Sequence, residues 1–225
     1  MSIANALANI GLIYSNLGQT DEALKNLKEA LDIYRKIGYE QGIANQLGNI
    51  GLIYSDLDQP EEALKNHRKA LDIYRKIGFE QGIANQLGNI GNTYRDLGQP
   101  EEALKNLKES LDIHRKIGYA QGIAIQLGNI GNIYGVLGQS EEALKNHQEA
   151  LDIHRKIGYE EGIANQLGNI GNIYGVLGQP DEALKYFNQA LEIFKYIKNE
   201  SRVRMVLENI EVAKKTINKK KDKDQ

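Results

Sequence analysis

Residues 43–54 read Ile-Ala-Asn-Gln-Leu-Gly-Asn-Ile-Gly-Leu-Ile-Tyr, and residues 60–74 read Pro-Glu-Glu-Ala-Leu-Lys-Asn-His-Arg-Lys-Ala-Leu-Asp-Ile-Tyr. In the first stretch Leu47, Ile50, Tyr54 and, just beyond it, Leu57 fall three or four residues apart. In the second, Ala63, Leu64, His67, Ala70, Leu71 and Tyr74 do the same. That spacing marks one apolar stripe along an α-helix. Pro60 stands where the second helix can begin, since its missing N–H would have no partner in a first turn. Glu61 and Glu62 then favour the positive end of the helix dipole. The helix stops at Ile77-Gly78, with glycine suited to a left-handed cap. Glu61–Lys65 and Asp72–Lys76 are expected to pair one turn apart. No alternating β-branched runs signal a strand.

The same text recurs along the chain. Ile43 to Gly51 is repeated almost unchanged from Ile83, Ile123 and Ile163, with a looser copy from Ile3. Glu62-Ala63-Leu64-Lys65-Asn66 recurs at Glu22, Glu102, Glu142 and, ending in Tyr186, at Glu182. The period is 40 residues without insertion or deletion over five copies. Such regularity means that each unit packs on its neighbours in the same way. Residues 1–199 are therefore five tandem repeats. Residues 200–218 align with one further first helix and keep Leu207, Asn209 and Ile210. Glu211 and Lys214 replace the repeat's Gly and Tyr, so this segment is expected to be a polar C-terminal capping helix. Residues 219–225 form a Lys-rich tail, expected to be flexible. The first helix has no matching cap, and its outward side is expected to be incompletely covered.

Composition narrows the function. The 225 residues include no Cys and no Trp and carry a net charge of −2. Residues 214–225 hold six Lys and two Asp, which leaves the body acidic. An acidic body lacks the basic face of a nucleic-acid binder. No apolar run reaches the length of a membrane span, and Met1-Ser2-Ile3-Ala4-Asn5 does not open a signal peptide. A cysteine-free chain fits a reducing compartment, so a cytoplasmic location is expected.

The four histidines are the obvious catalytic or metal candidates. His67 and His147 stand where other repeats have Leu27, Leu107 and Phe187. His114 and His154 stand where others have Tyr34 and Tyr74. Exchange with apolar and aromatic residues marks packing sites. His147 and His154 would lie about 10.5 Å apart along one helix, too far to share a zinc ion. The glycines precede no Gly-Lys-Ser/Thr and follow no strand, so they make no phosphate loop. No catalytic residue, metal site or cofactor is expected.

The pattern Leu-Gly-Asn-Ile-Gly-Asn-Ile-Tyr, then Leu-Gly-Gln-Pro-Glu-Glu-Ala-Leu, resembles tetratricopeptide repeats. Gly51, Tyr54, Ala63 and Ala70 match that family's diagnostic small and aromatic positions, and the resemblance covers residues 1–199. The 40-residue period is similar to the long-helix subclass of kinesin light chains and Pins-type adaptors. The resemblance implies an all-α, right-handed superhelical α-solenoid of antiparallel helix pairs, whose first helices line a concave groove for extended or helical peptide segments.

By that resemblance the groove face carries Asn45, Gly48, Asn49, Leu52 and Asp56, and their counterparts in later repeats. Two rows of Asn stand out. Asn9, Asn49, Asn89, Asn129 and Asn169 recur every 40 residues, continued by Asn209, and Asn92, Asn132 and Asn172 form a second row. A primary amide both donates and accepts hydrogen bonds, so it can hold peptide backbone without reading side chains. Kinesin light chains look similar at the first row and Pins-type adaptors at the second. Arg95 adds the one positive charge near the groove, too little for a carboxylate clamp. Gly128 and Gly135 are expected on the groove side, where a ligand could approach the helix backbone. The primary expectation is thus a peptide-binding scaffold and not an enzyme. One alternative is a structural module that forms a homodimer through its N-terminal helix. Another is the sensing fragment of a larger regulator.

Overall fold

The computed structural model describes residues 1–221, with side chains described to Lys219, and among them there are eleven helices and no strand. The helices are α1 Ser2–Asn16, α2 Thr20–Ile37, α3 Glu40–Asp56, α4 Pro60–Ile77, α5 Glu80–Asp96 and α6 Pro100–Ile117. They continue as α7 Ala120–Val136, α8 Ser140–Ile157, α9 Glu160–Val176, α10 Pro180–Tyr196 and α11 Glu200–Lys221. The fold is an all-α array of helix pairs. Contacts divide it into two compact units, residues 1–117 and residues 118 onward.

Glycine sets the turns. Gly38, Gly78 and Gly158 end second helices at φ 70°, in the left-handed region. There the next residue reaches back, as Tyr39 N–H does to the carbonyl of Tyr34 at 3.0 Å. Two positions in the series are not glycine. Asp58 (φ 56°) and Lys198 (φ 57°) hold the same conformation at a steric cost that glycine avoids.

In the first unit the core joins neighbouring repeats. Ala23, Leu27 and Leu31 of α2 cluster with Ala44, Leu47, Ile50 and Ile53 of α3 and with Ala70 and Tyr74 of α4. In the second unit Leu167 and Ile170 of α9, Phe187 and Phe194 of α10, and Val206 and Ile210 of α11 form the corresponding cluster. Each first helix thus packs on its own second helix and, within a unit, on the second helix before it.

The ends of the array differ from its middle. Ile10 and Ile13 of α1 are 42% and 58% exposed, whereas their counterparts Ile50 and Ile53 are 3% and 2% exposed. On α11, Glu211 takes the place of Gly171, whose added methyl would strike the Phe187 ring at 2.7 Å. The carboxylate there is exposed and ion-paired with Lys215 at 2.6 Å. The face is not wholly polar: Leu207 and Val212 are exposed. Helix α11 runs three residues past the expected stop at 218, to Lys221, and the rest of the tail, residues 222–225, lies outside the described residues.

Surface ion pairs run mostly along single helices, and a few bridge neighbouring ones. Lys65 pairs with Glu62 at 2.9 Å and not with Glu61. Lys76 reaches Glu40 of α3 in place of Asp72, as Lys116 reaches Glu80 at 2.8 Å. A long ammonium stem can bridge to the neighbouring helix in place of the next turn, and each exposed pair contributes little.

Candidate functional site

The two Asn rows meet in the second unit. Asn169 Nδ2 on α9 donates to Asn132 Oδ1 on α7 at 3.2 Å. One repeat on, Asn209 Nδ2 on α11 donates to Asn172 Oδ1 on α9 at 3.3 Å. The sequence treats the rows as independent; in the structure Asn169 and Asn209 each lean on the second-row Asn of the repeat before, whereas Asn92 Oδ1 is buried without a hydrogen-bond partner. Every amide keeps further donors or acceptors free, since one bond uses only part of its capacity.

Two cavities open beside these pairs. The first, about 320 Å³, lies among α7, α8 and α9 and is lined by Asn132, Asn169, Asn172, Ser140, His147 and Val136, among others. The second, about 340 Å³, is lined by Asn172, Asn209, Thr216, Phe187, Val176 and Val212, among others. They share Asn172 and Val176, so they adjoin. Both fall in the size range of small-molecule and side-chain pockets, and neither has a charged side chain in its lining. Val136 and Val176 are each 82% exposed. Asp56 and Asp96 occupy their positions in the first unit. By contrast, a 330 Å³ hollow among α2, α3 and α4 is lined by Lys28, Asp32, Arg35, Glu62, Lys65 and Lys69, among others.

The remaining predicted residues do not pair in this way. Asn9 is exposed, Asn49 and Asn89 are half-buried, and Leu12 and Leu52 stand where a second-row Asn would bond them. Asn92 is half-buried, as is Asn129 on α7. The Arg95 guanidinium bonds Asp96 through Nε at 3.0 Å and Nη2 at 2.8 Å, an exposed pair. Asn45 does not turn to the groove: its Oδ1 accepts from the Tyr74 hydroxyl of its own repeat.

Two glycines expected at the groove part ways. Nothing lies within 4 Å of a methyl placed on Gly135, so that helix face is open. A methyl on Gly128 would meet Gln166 Nε2 at 2.9 Å, and one on Gly48 would meet Gln86 Nε2 at 2.8 Å. These two glycines are seats for a buried glutamine of the next repeat, not approaches for a ligand. The expectation for Gly128 failed because helical spacing alone does not separate the groove face from the face packed on the following repeat.

The same glutamines anchor two histidines. His67 Nδ1 donates to Gln86 Oε1 at 2.9 Å, and His147 Nδ1 donates to Gln166 Oε1 at 2.8 Å. Each ring lies over a glycine of its own repeat, Gly51 or Gly131, where a methyl would come within 2.6 or 2.8 Å. His67, His114, His147 and His154 are all buried, and burial pushes the pKa of each below 6.5, against which the glutamine bond pulls weakly for His67 and His147. Sequence reading found the histidines to be packing residues but missed their partners. The available signal was a Gln recurring on an otherwise apolar stripe, at 46, 86, 126 and 166. Among the described residues no cluster of His, Asp or Glu could hold a metal ion, and no helix is long and apolar enough to cross a membrane.

Known structures share this architecture. A signal-transduction ATPase with a tetratricopeptide repeat sensor from Pyrococcus horikoshii superposes with a TM-score of 0.82 at 24% identity, over 93% of this chain and 32% of that one. The present chain thus spans about a third of that protein's length. A Rap protein complexed with competence and sporulation factor gives a TM-score of 0.70 at 17% identity, over 96% and 65%. A kinesin light chain-type protein of nearly identical repeats from Podosopora anserina gives 0.69 at 18% identity, over 87% and 96%. No curated protein sequence matches the chain. The tetratricopeptide repeat family model matches residues 2–76, 42–116 and 122–195. With the repeat, its small and aromatic positions and its helix pairing all in place, the chain belongs to the tetratricopeptide repeat family.

Proposed function

We propose that this protein is a protein–protein interaction scaffold that binds an extended peptide segment along its Asn-bearing first helices, and that it acts without catalysis of its own. The observation that carries the reading is the pairing of Asn132 with Asn169 and of Asn172 with Asn209 beside two adjoining uncharged cavities. Paired amides are held in place before a ligand arrives, so less side-chain entropy is lost on binding. Their spare N–H and C=O groups match those of a peptide backbone. Asn9, Asn49, Asn89, Asn92 and Asn129 extend the same rows, and Arg95, paired with Asp96, is the single positive charge beside them, too little for a carboxylate clamp. The complex of a Rap protein with competence and sporulation factor, on the same fold, is in keeping with a ligand site of this kind. So is the description of the Pyrococcus repeat array as a sensor, which would place such a site within a longer regulator. A cytoplasmic location belongs to the same proposal.

The test uses a peptide selected from a random display library on the full chain, and the variant Asn132→Ala/Asn172→Ala. Affinity is expected to fall at least tenfold with helicity unchanged. An affinity within twofold of the parent rejects the Asn site.

A second reading, homodimer formation through α1, is favoured by the exposed Ile10 and Ile13. Their counterparts are covered by a preceding helix, and α1 carries no charged side chain to repel a second copy. Sedimentation should then show a dimer that Ile10→Glu/Ile13→Glu dissociates. A monomer at high micromolar concentration excludes it.

A further inference from the structure

The cavity among α7, α8 and α9 has a polar floor. His147 is 1% exposed, yet it lines this cavity together with Gly131. Its Nδ1 faces Gln166 Oε1 at 2.8 Å. An amide oxygen only accepts, so the ring proton sits on Nδ1 and Nε2 carries the lone pair. Burial, which holds the imidazole below its ordinary pKa, keeps it in this neutral form at pH 7. The ring face lies over Gly131, where a methyl would come within 2.8 Å of Nε2. Its Nε2 makes no hydrogen bond and is not among the fully buried unpartnered atoms. His67 makes the same bond to Gln86, but its Nε2 is buried without a hydrogen-bond partner.

Three kinds of side chain could enter. An apolar one would cover Nε2 and leave a buried acceptor unsatisfied. A cationic one would bring its charge into a lining that holds no carboxylate to pair with it. A hydroxyl or primary amide donates to Nε2 and can in turn accept from the nearby Asn amides, with no charge to desolvate.

We propose that this cavity is a specificity subsite for an uncharged hydrogen-bond-donor side chain of a bound peptide, a hydroxyl or a primary amide, with His147 Nε2 as its acceptor. The assignment rests on the peptide-site reading above and adds what that site selects. It makes the fourth and fifth repeats read one side chain, where the Asn rows read only backbone.

The test compares three capped peptides on the full chain by calorimetry: acetyl-Gly-Gly-Gly-Thr-Gly-Gly-Gly-amide, its Val isostere, and the all-Gly peptide. The Thr peptide is expected to bind about tenfold tighter than the Val peptide, the order of effect of leaving a buried acceptor unpaired. In His147→Leu that advantage should vanish while the Val peptide binds as before. Leu27 and Leu107 occupy this position in other repeats, so the substitution is one the fold already uses. In the unmodified chain, which needs no variant, the Nε2 nitrogen resonance of His147 should shift with the Thr peptide and stay put with the Val peptide. Equal Thr and Val affinities, a Thr advantage that survives in His147→Leu, or an Nε2 resonance indifferent to the Thr peptide would overturn the subsite. If the three peptides bind alike, the subsite alone falls and backbone binding stands. If none binds, both fall together.

Discussion

His147 Nδ1 lies 2.8 Å from Gln166 Oε1, and this one bond ties the second helix of the fourth repeat to the first helix of the fifth. The chain contains its own control. Gln46 follows Leu27 at the same separation of 19 residues, and its Oε1 is buried without a hydrogen-bond partner. His147→Leu should therefore fold and lose about 1 kcal/mol, the net worth of one hydrogen bond. Adding Gln166→Leu removes the orphaned amide and should recover part of that loss. Urea unfolding of the single and double variants measures both; a double variant no more stable than His147→Leu contradicts the account.

The left-handed positions give a second prediction. Asp58 and Lys198 adopt φ 56° and 57° where the other repeats use glycine. Asp58→Gly and Lys198→Gly should each raise stability by about 0.5–1 kcal/mol, the relief of left-handed strain less the flexibility added to the unfolded chain. Thermal unfolding reads the gain, and a loss at both sites would mean that the turn is not strained.

Glycines inside the first helices should divide by what faces them. Gly135→Ala meets open space and should stabilise by about 0.5–1 kcal/mol through helix propensity. Gly131→Ala drives a methyl to 2.8 Å from the His147 ring and should destabilise by about 1–3 kcal/mol. If the two variants shift stability in the same direction, the assignment of close packing at Gly131 is wrong.

Acid should loosen the array through its histidines. His67, His114, His147 and His154 are neutral and buried, and burial lowers each folded-state pKa below the ordinary 6.5. The unfolded chain then binds protons that the folded chain does not, so stability rises with pH. The contribution is fully present above pH 6.5 and is lost as pH falls below it through the lower folded values. The variant His67→Leu/His147→Leu/His114→Tyr/His154→Tyr, which uses residues from sister repeats, should flatten the pH dependence of the melting temperature between pH 6.5 and pH 5.

The helices and their ends were legible because period, proline and glycine repeat. Pro60 opens α4 and Gly78 follows its last residue, as the local chemistry of a proline and a left-handed cap requires. The packing role of the histidines was legible too, through their exchange with Leu27 and Tyr34. What sits between repeats was not. Gln86 and Gly48 are 38 residues apart, and only the stacking of α3 on α5 brings amide to glycine. The Asn132–Asn169 pair depends on the same kind of stacking, of α7 on α9, whereas the choice of Lys76 for Glu40 over Asp72 depends on how α4 packs on α3 of its own repeat. A helical wheel assigns each residue a direction on its own helix but does not say which neighbour stands there.

The central claim, that the Asn rows hold peptide backbone, is tested most directly by their own side-chain amides. In a nitrogen-labelled chain titrated with a display-selected peptide, the amide signals of Asn132, Asn169, Asn172 and Asn209 should move saturably and together. Those of Asn26, Asn66, Asn106 and Asn146, which bond to carbonyls of their own second helices, should stay in place. Saturable binding that moves the second-helix amides and leaves the four ladder signals fixed would contradict the account.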